Sequence, residues 1–270
     1  MNSQIFIMAA IATLISIIPI ILIQFWLKFN WKYYLIPLLI MLPGSAIINL
    51  GLKDWIFLGL SQWNTNNNYV LFLVYFPIWV LIVGITEELF KIIPTIIPRF
   101  KEEMKNSELT KVQIGWSLGI GFGIGEIWYL AFLIALDTNF EGIQWFLFTG
   151  FLFERVLVVI LHAGMTILTL YGFNKKKLWL TIILGIISHG IIDYIAVASQ
   201  YLDEIYILFI IISIISIPLI ILAFIIAQSN DRKKKWKDTL QEDWQGLEEE
   251  KQDNREIEVI SLFPKKDNNK

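Results

Sequence analysis

Seven long apolar stretches dominate this chain, at roughly 5–27, 33–52, 69–98, 112–136, 145–172, 178–198 and 206–228. About 20 mostly apolar helical residues suffice to cross a bilayer core. The sequence therefore predicts an all-α, polytopic membrane protein with seven transmembrane helices, whose first partner is the lipid bilayer. The first stretch is not a cleaved signal peptide. It lacks a basic leading region, and its apolar run is too long for one. The connections are short, so no large soluble domain interrupts the spans.

Composition sharpens this. Hydrophobic residues make up 56% of the 270, and mean hydropathy is +0.61. Those values exclude an ordinary soluble domain and a disordered chain. Residues 229–270 carry 10 of the 22 Lys and Arg and 11 of the 24 Asp and Glu. Two units follow: a membrane domain over 1–228 and a charged tail over 229–270. A net charge of −2 gives no basic field for nucleic acid. The absence of cysteine excludes disulfides, thiolate metal sites and cysteine nucleophiles.

Charge asymmetry sets the orientation. Alternate loops carry Lys28 and Lys32; Arg99, Lys101, Lys105 and Lys111; Lys175, Lys176 and Lys177; then Arg232, Lys233, Lys234, Lys235 and Lys237. The intervening loops hold only Lys53. The positive-inside rule predicts the N-terminus outside and the C-terminus cytosolic. In the tail, Trp236, Leu240, Trp244 and Leu247 recur at near-helical spacing. This fits a helix on the inner membrane surface, and equally a solvated tail with a few apolar residues.

Ionisable groups inside a membrane are expensive, so each one is a functional candidate. The third span holds Glu87, Glu88 and Lys91, and the fourth holds Glu126. The fifth holds Glu154, Arg155 and His162; the sixth holds His189 and Asp193. Both histidines of the chain are among them. Counted from the cytosolic ends, Glu87, Glu126, His162 and His189 share one depth to within roughly 6 Å. Arg155, His162 and Thr166 share a helical stripe, as do His189 and Asp193. Lys91 can reach Glu87 at i,i+4 or Glu88 at i,i+3. Gly115, Gly119 and Gly123, with Gly121 and Gly125 beside them, allow close helix approach near Glu126. Any one of these pairs could be a packing device only. Together they set five carboxylates against two fixed cations. That excess must be relieved by protons, charged histidines or a bound cation, which suits acid–base chemistry or metal binding.

Four motifs resemble a known superfamily. Thr86-Glu87-Glu88-Leu89-Phe90-Lys91 is similar to the Glu-Glu-x-x-Lys/Arg signature of the CAAX-protease and bacteriocin-processing superfamily of intramembrane proteases. The glycine-dense run 119–125 ending in Glu126 resembles the second motif of its PrsW and YhfC branches. Glu154-Arg155 with His162 and Thr166 resembles the third motif, and His189-x-x-x-Asp193 the fourth. The likeness covers roughly 80–198, and the Glu154-Arg155 pair leans towards YhfC. It implies a membrane-embedded protease acting on a transmembrane or lipidated peptide, in a bacterial plasma membrane. In better understood relatives the first-motif glutamate activates water, while histidine and a fourth-motif polar residue hold the oxyanion. Those relatives carry histidine in the second motif, where this chain has Glu126. The superfamily is also similar to the seven-span Aph scaffold of γ-secretase, which performs no proteolysis.

The residues themselves narrow the chemistry. There is no Gly-x-Ser-x-Gly elbow and no His-Glu-x-x-His. A carboxylate base remains: Glu87, with Glu88 orienting it or sharing its proton. Lys91 tempers their charge. His162 and His189 would face the oxyanion, and Asp193 would position His189. Glu126 and Arg155 tune charge, with Arg155 neutralising Glu126 or Glu154. His162 and His189 with Glu126 or Glu87 also make a zinc shell with an open position. Two other classes stay open: a non-catalytic membrane scaffold that binds a partner, and a proton-coupled transporter with spans broken at Pro43-Gly44 and Pro94.

Overall fold

The computed structural model describes residues 2–27, 31–53, 69–173, 177–198 and 203–262. Among them the chain is all-helical, with no strand. The helices are α1 (Ile5–Leu27), α2 (Lys32–Ile48), α3 (Tyr69–Ile92), α4 (Pro98–Asn106), α5 (Glu108–Leu136), α6 (Thr149–Tyr171), α7 (Leu178–Ala198) and α8 (Asp203–Leu262). Five of them, α1, α2, α5, α6 and α8, are long and apolar enough to cross a membrane, and α7 adds a shorter apolar run over Leu178–Asp193. The side chains of α3 are described from Leu81 onward. Of the loop cations, Lys28, Lys175 and Lys176 lie outside the described residues.

α5 is the axis of the bundle. It is buried along most of its length, between α2 on one side and α6 on the other. Its glycines explain how. Gly115, Gly119 and Gly123 meet Ile167, Ala163 and Val159 of antiparallel α6 in matching steps of four. Gly121 and Gly125 face the backbone of α2 at Leu38 and Leu42. A Cβ on Gly121 would stand 2.5 Å from the Leu38 carbonyl oxygen. The two glycine stripes therefore let three helices touch backbone to backbone, as small residues do in membrane bundles. α1 and α8 pack around this centre, and Ile5, Met8, Ala12, Ile120, Ile124 and Phe224 share one buried cluster.

Several boundaries differ from the sequence reading. Pro43-Gly44 does not break α2, which continues to Ile48 and then widens into a π-helical turn over Asn49–Lys53. α3 does stop early, giving way at Ile93–Ile96 to a 3₁₀ turn that contains Pro94. Proline has no amide proton and clashes with the preceding turn. The loop expected at 99–111 instead folds. Pro98 opens α4, which buries Phe100 and Met104 against the bundle. There Lys32 reaches Glu103 at 3.2 Å. The Glu103 carboxylate is held below its ordinary range, chiefly by a hydrogen bond from the Tyr33 hydroxyl. Lys111, expected among the solvated loop cations, is buried. Its ammonium bonds both Glu108 oxygens and the Phe173 carbonyl, each at 3.0 Å.

The boundary expected at 228 falls inside a helix. α8 runs on without interruption to Leu262, 60 residues in all. Trp236, Leu240 and Trp244 are exposed along it. Asp231 ties this extension to the bundle by capping α5. It accepts from the Ser107 hydroxyl at 2.5 Å, the Glu108 amide at 2.8 Å and the Leu109 amide at 3.1 Å. A carboxylate there satisfies orphan amides and favours the positive end of the helix dipole.

Candidate active site

Four helices bring the expected ionisable residues into one connected set. Glu87, Glu88 and Lys91 come from α3, Glu126 from α5, Glu154, Arg155 and His162 from α6, and His189 and Asp193 from α7. Close approach again places them. Gly84, one turn before Glu87, lies against α7, where an added Cβ would be 2.8 Å from the Ile186 carbonyl oxygen. This sets the two glutamates beside His189, one turn further along α7.

Glu88 is held on both oxygens. Its Oε1 accepts from the Lys91 ammonium at 2.8 Å and faces His189 Nδ1 at 2.9 Å. Its Oε2 accepts from the Thr169 hydroxyl at 2.9 Å. Glu87 stands differently. Its Oε2 is 3.1 Å from His189 Nε2, and 3.9 Å from both His162 Nδ1 and Lys91 Nζ. The short ion pair of Lys91 is thus with Glu88 at i,i+3, not with Glu87 at i,i+4 as helix preference favours. Three other groups also touch the amine. His162 Nδ1 is 2.9 Å away, His189 Nδ1 is 3.5 Å away, and the Phe122 ring centroid is 4.8 Å away.

Each histidine sits between acids. The far nitrogen of His162, Nε2, faces Glu126 at 2.9 Å. His189 presents Nδ1 to Glu88 and Nε2 to Glu87, with Asp193 3.6 Å from the same Nε2. The two rings lie edge to face, 5.2 Å between centroids. Arg155 takes the expected neutralising place. It bonds Glu154 at 2.5 Å and lies 3.7 Å from Glu126. Thr166 shares the His162 stripe but turns away from the chemistry, its hydroxyl donating to the His162 carbonyl at 2.7 Å.

The set grades from sealed to open. Glu87, Glu88 and Lys91 side chains are 0% exposed, Glu126 is 13%, Asp193 29% and Glu154 34%. The open end lies towards the start of α6, away from the basic segment that begins at Arg232. Two members escaped the sequence reading. Thr169 lies seven residues after His162, hence on the same face, and only its polarity marked it. Phe122 looked like ordinary apolar helix, yet its ring covers both Lys91 and His162.

A zinc shell is a fair test of this donor set. Glu87, His162 and His189 offer ligand atoms within 4.8 Å of one another. The other nitrogen of each ring already faces a carboxylate, Glu126 or Glu88, which is how metal-ligating histidines are oriented. Glu126 itself stands on the far side of His162, so the carboxylate of the converging trio is Glu87. The donor types fit; Lys91, at 2.9 Å from His162 Nδ1, competes for one of them. No family model, curated protein or solved structure matches the chain.

Proposed function

We propose that the protein is an intramembrane peptidase that hydrolyses a peptide bond of a transmembrane or lipidated substrate with a glutamate-activated water. The observation that carries this reading is the division of labour between the paired glutamates. Glu88 is engaged on both oxygens by three groups within 2.9 Å, which fixes its place. Glu87 lies beside it, facing both histidines, and is the base in this reading.

In this reading Glu87 takes a proton from water as the oxygen attacks the peptide carbonyl carbon. The carbonyl π electrons move onto oxygen, and the oxyanion is held by donors from Lys91 and His189. Collapse of the tetrahedral intermediate breaks the C–N bond, and the proton held on Glu87 passes to the leaving amine. Glu88 and Thr169 hold Lys91 and His189 in place, Glu126 orients His162, and Asp193 orients His189. If zinc is resident, Glu87, His162 and His189 would hold it, and it would supply Lewis-acid activation of the water.

The same reading makes the chain a seven-span protein of a bacterial plasma membrane, N-terminus outside and C-terminus in the cytosol. The five helices long and apolar enough to cross support its membrane character, and the apolar runs and the alternation of Lys and Arg in the sequence support the count and the orientation. The open end of the site then faces the outer half of the bilayer.

The test is cleavage by the purified protein of transmembrane and lipidated peptides in vesicles, with Glu87→Gln as control. Glu87→Gln keeps the side chain's shape and should fold normally, yet lose cleavage by at least about 10²-fold. Full activity in that variant removes Glu87 from the chemistry. A well-folded wild type inactive on every peptide favours the scaffold, and Glu87-dependent proton flux in its place favours the transporter.

A further inference from the structure

The converging atoms of Glu87, His162 and His189 have the donor types of a hydrolytic zinc site, but a cation is already built into them. Lys91 Nζ lies 2.9 Å from His162 Nδ1 and 3.9 Å from Glu87 Oε2, two of the atoms a metal would need. An ammonium has three N–H donors and no acceptor, and a neutral imidazole nitrogen has one in-plane lone pair. The Nδ1 lone pair that accepts from Lys91 is therefore not available to a metal. The amine is also firmly placed. Glu88 bonds it at 2.8 Å, the Phe122 ring lies under it at 4.8 Å, and the side chain is fully buried. A divalent ion at this point would meet a fixed positive charge within a few ångströms, in a setting that screens charges poorly.

We infer that Lys91 takes the place of a metal ion in this site, so that the native protein binds no divalent metal there. Shortening Lys91 opens a zinc site formed by His162, His189 and Glu87. The idea rests on the hydrolytic reading only for its catalytic meaning, since occupancy follows from the geometry alone. It assigns the lysine two tasks of a metal, balancing the buried carboxylates and offering positive charge to a developing oxyanion. It also explains why both histidines can be backed by carboxylates in the manner of metal ligands while an ammonium holds the His162 nitrogen that a metal would use.

The experiment measures zinc per chain in purified full-length protein by elemental mass spectrometry, from cells grown with zinc. Wild type and Lys91→Arg should carry well under about 0.1 zinc per chain, and Lys91→Met or Lys91→Ala about 1. Adding His162→Ala to Lys91→Met should abolish that binding. Adding Glu126→Gln should weaken it about 10- to 100-fold, as loss of a carboxylate behind a metal-bound histidine does. Stoichiometric zinc in wild type, removed by His162→Ala, overturns the inference. Folded Lys91→Met and Lys91→Ala proteins that stay zinc-free overturn it too. If neither variant folds even with zinc supplied, the opened site does not form and the inference fails. The hydrolytic reading is judged separately. A zinc-bearing wild type that cleaves peptide sinks this inference and keeps that reading, and a zinc-free wild type without cleavage does the reverse.

Discussion

Replacing Gly119 by alanine tests the packing that places His162. A Cβ on Gly119 would stand 2.5 Å from the His162 carbonyl oxygen and 2.6 Å from the Ala163 amide nitrogen. Both are backbone atoms of α6, so no rotamer change relieves the clash. Ordinary contact begins near 3.4 Å, and α5 and α6 must therefore part by about 1 Å. The His162 to Glu126 contact, 2.9 Å long, crosses the same interface. An added ångström takes it to about 3.9 Å, outside hydrogen-bonding range. Overpacking of this kind costs about 1–3 kcal/mol, and a lost bond to a charged group about 1.5–3 kcal/mol. Together they predict a loss of roughly 2.5–6 kcal/mol. The assay is denaturant unfolding of purified protein in micelles, beside Gly150→Ala as control. A Cβ at Gly150 meets nothing within 4 Å, so that variant should be neutral or gain up to about 1 kcal/mol. If Gly119→Ala unfolds within about 0.5 kcal/mol of wild type, the backbone-to-backbone seam is wrong, and with it the placing of His162.

Other consequences can be checked independently. Arg155→Ala leaves Glu126 and Glu154 without their cation and should lower folded yield, by a loss of roughly 3–5 kcal/mol in comparable buried pairs; normal yield with abolished cleavage would instead put Arg155 on the substrate. Thr169→Val removes a donor from Glu88 and should cost about 1.5–3 kcal/mol, whereas Thr169→Ser should restore it, as read by the same unfolding assay. A topology reporter fused after Lys270 should read cytosolic and one before Met1 external, and a cytosolic N-terminus would defeat the orientation.

Much of the helical framework was legible because apolar runs and prolines act locally. The ends of α1 and α7 fall where the runs end, and α3 gives way to the 3₁₀ turn that holds Pro94. What escaped was decided between helices. Lys111 looked like a loop cation, but Glu108 and the Phe173 carbonyl together make burial tolerable. The tail looked separate because its composition changes at 228, yet helix propagation has no reason to stop at a change from apolar to charged residues. Without proline or glycine there, α8 continues. The pairing of Lys91 is the sharpest case. Both glutamates lie within its reach on one helix, and helix statistics favour Glu87. Thr169 of α6 and His189 of α7 fix Glu88 in the position that takes the amine, and neither is visible in the α3 sequence.

Shared partners govern how substitutions in the site combine. Lys91, His162 and His189 each touch more than one partner, and Glu88 is shared by Lys91, His189 and Thr169. Isolated ion pairs placed for packing would respond additively, because each would carry its own balance of desolvation and attraction. A shared network cannot, since removing one member leaves the rest buried with unmatched charge. Glu126 and Lys91 both bind His162, on opposite ring nitrogens. A double-mutant cycle of Glu126→Gln with Lys91→Met should therefore show a coupling of about 0.5–3 kcal/mol transmitted through that ring. Coupling should vanish when His162 is replaced by phenylalanine, which keeps an aromatic ring but carries no nitrogen to pass the interaction on. Additive behaviour with His162 present would mean that the contacts around it are separate packing pairs, and the case for one chemically coherent site would fall with it.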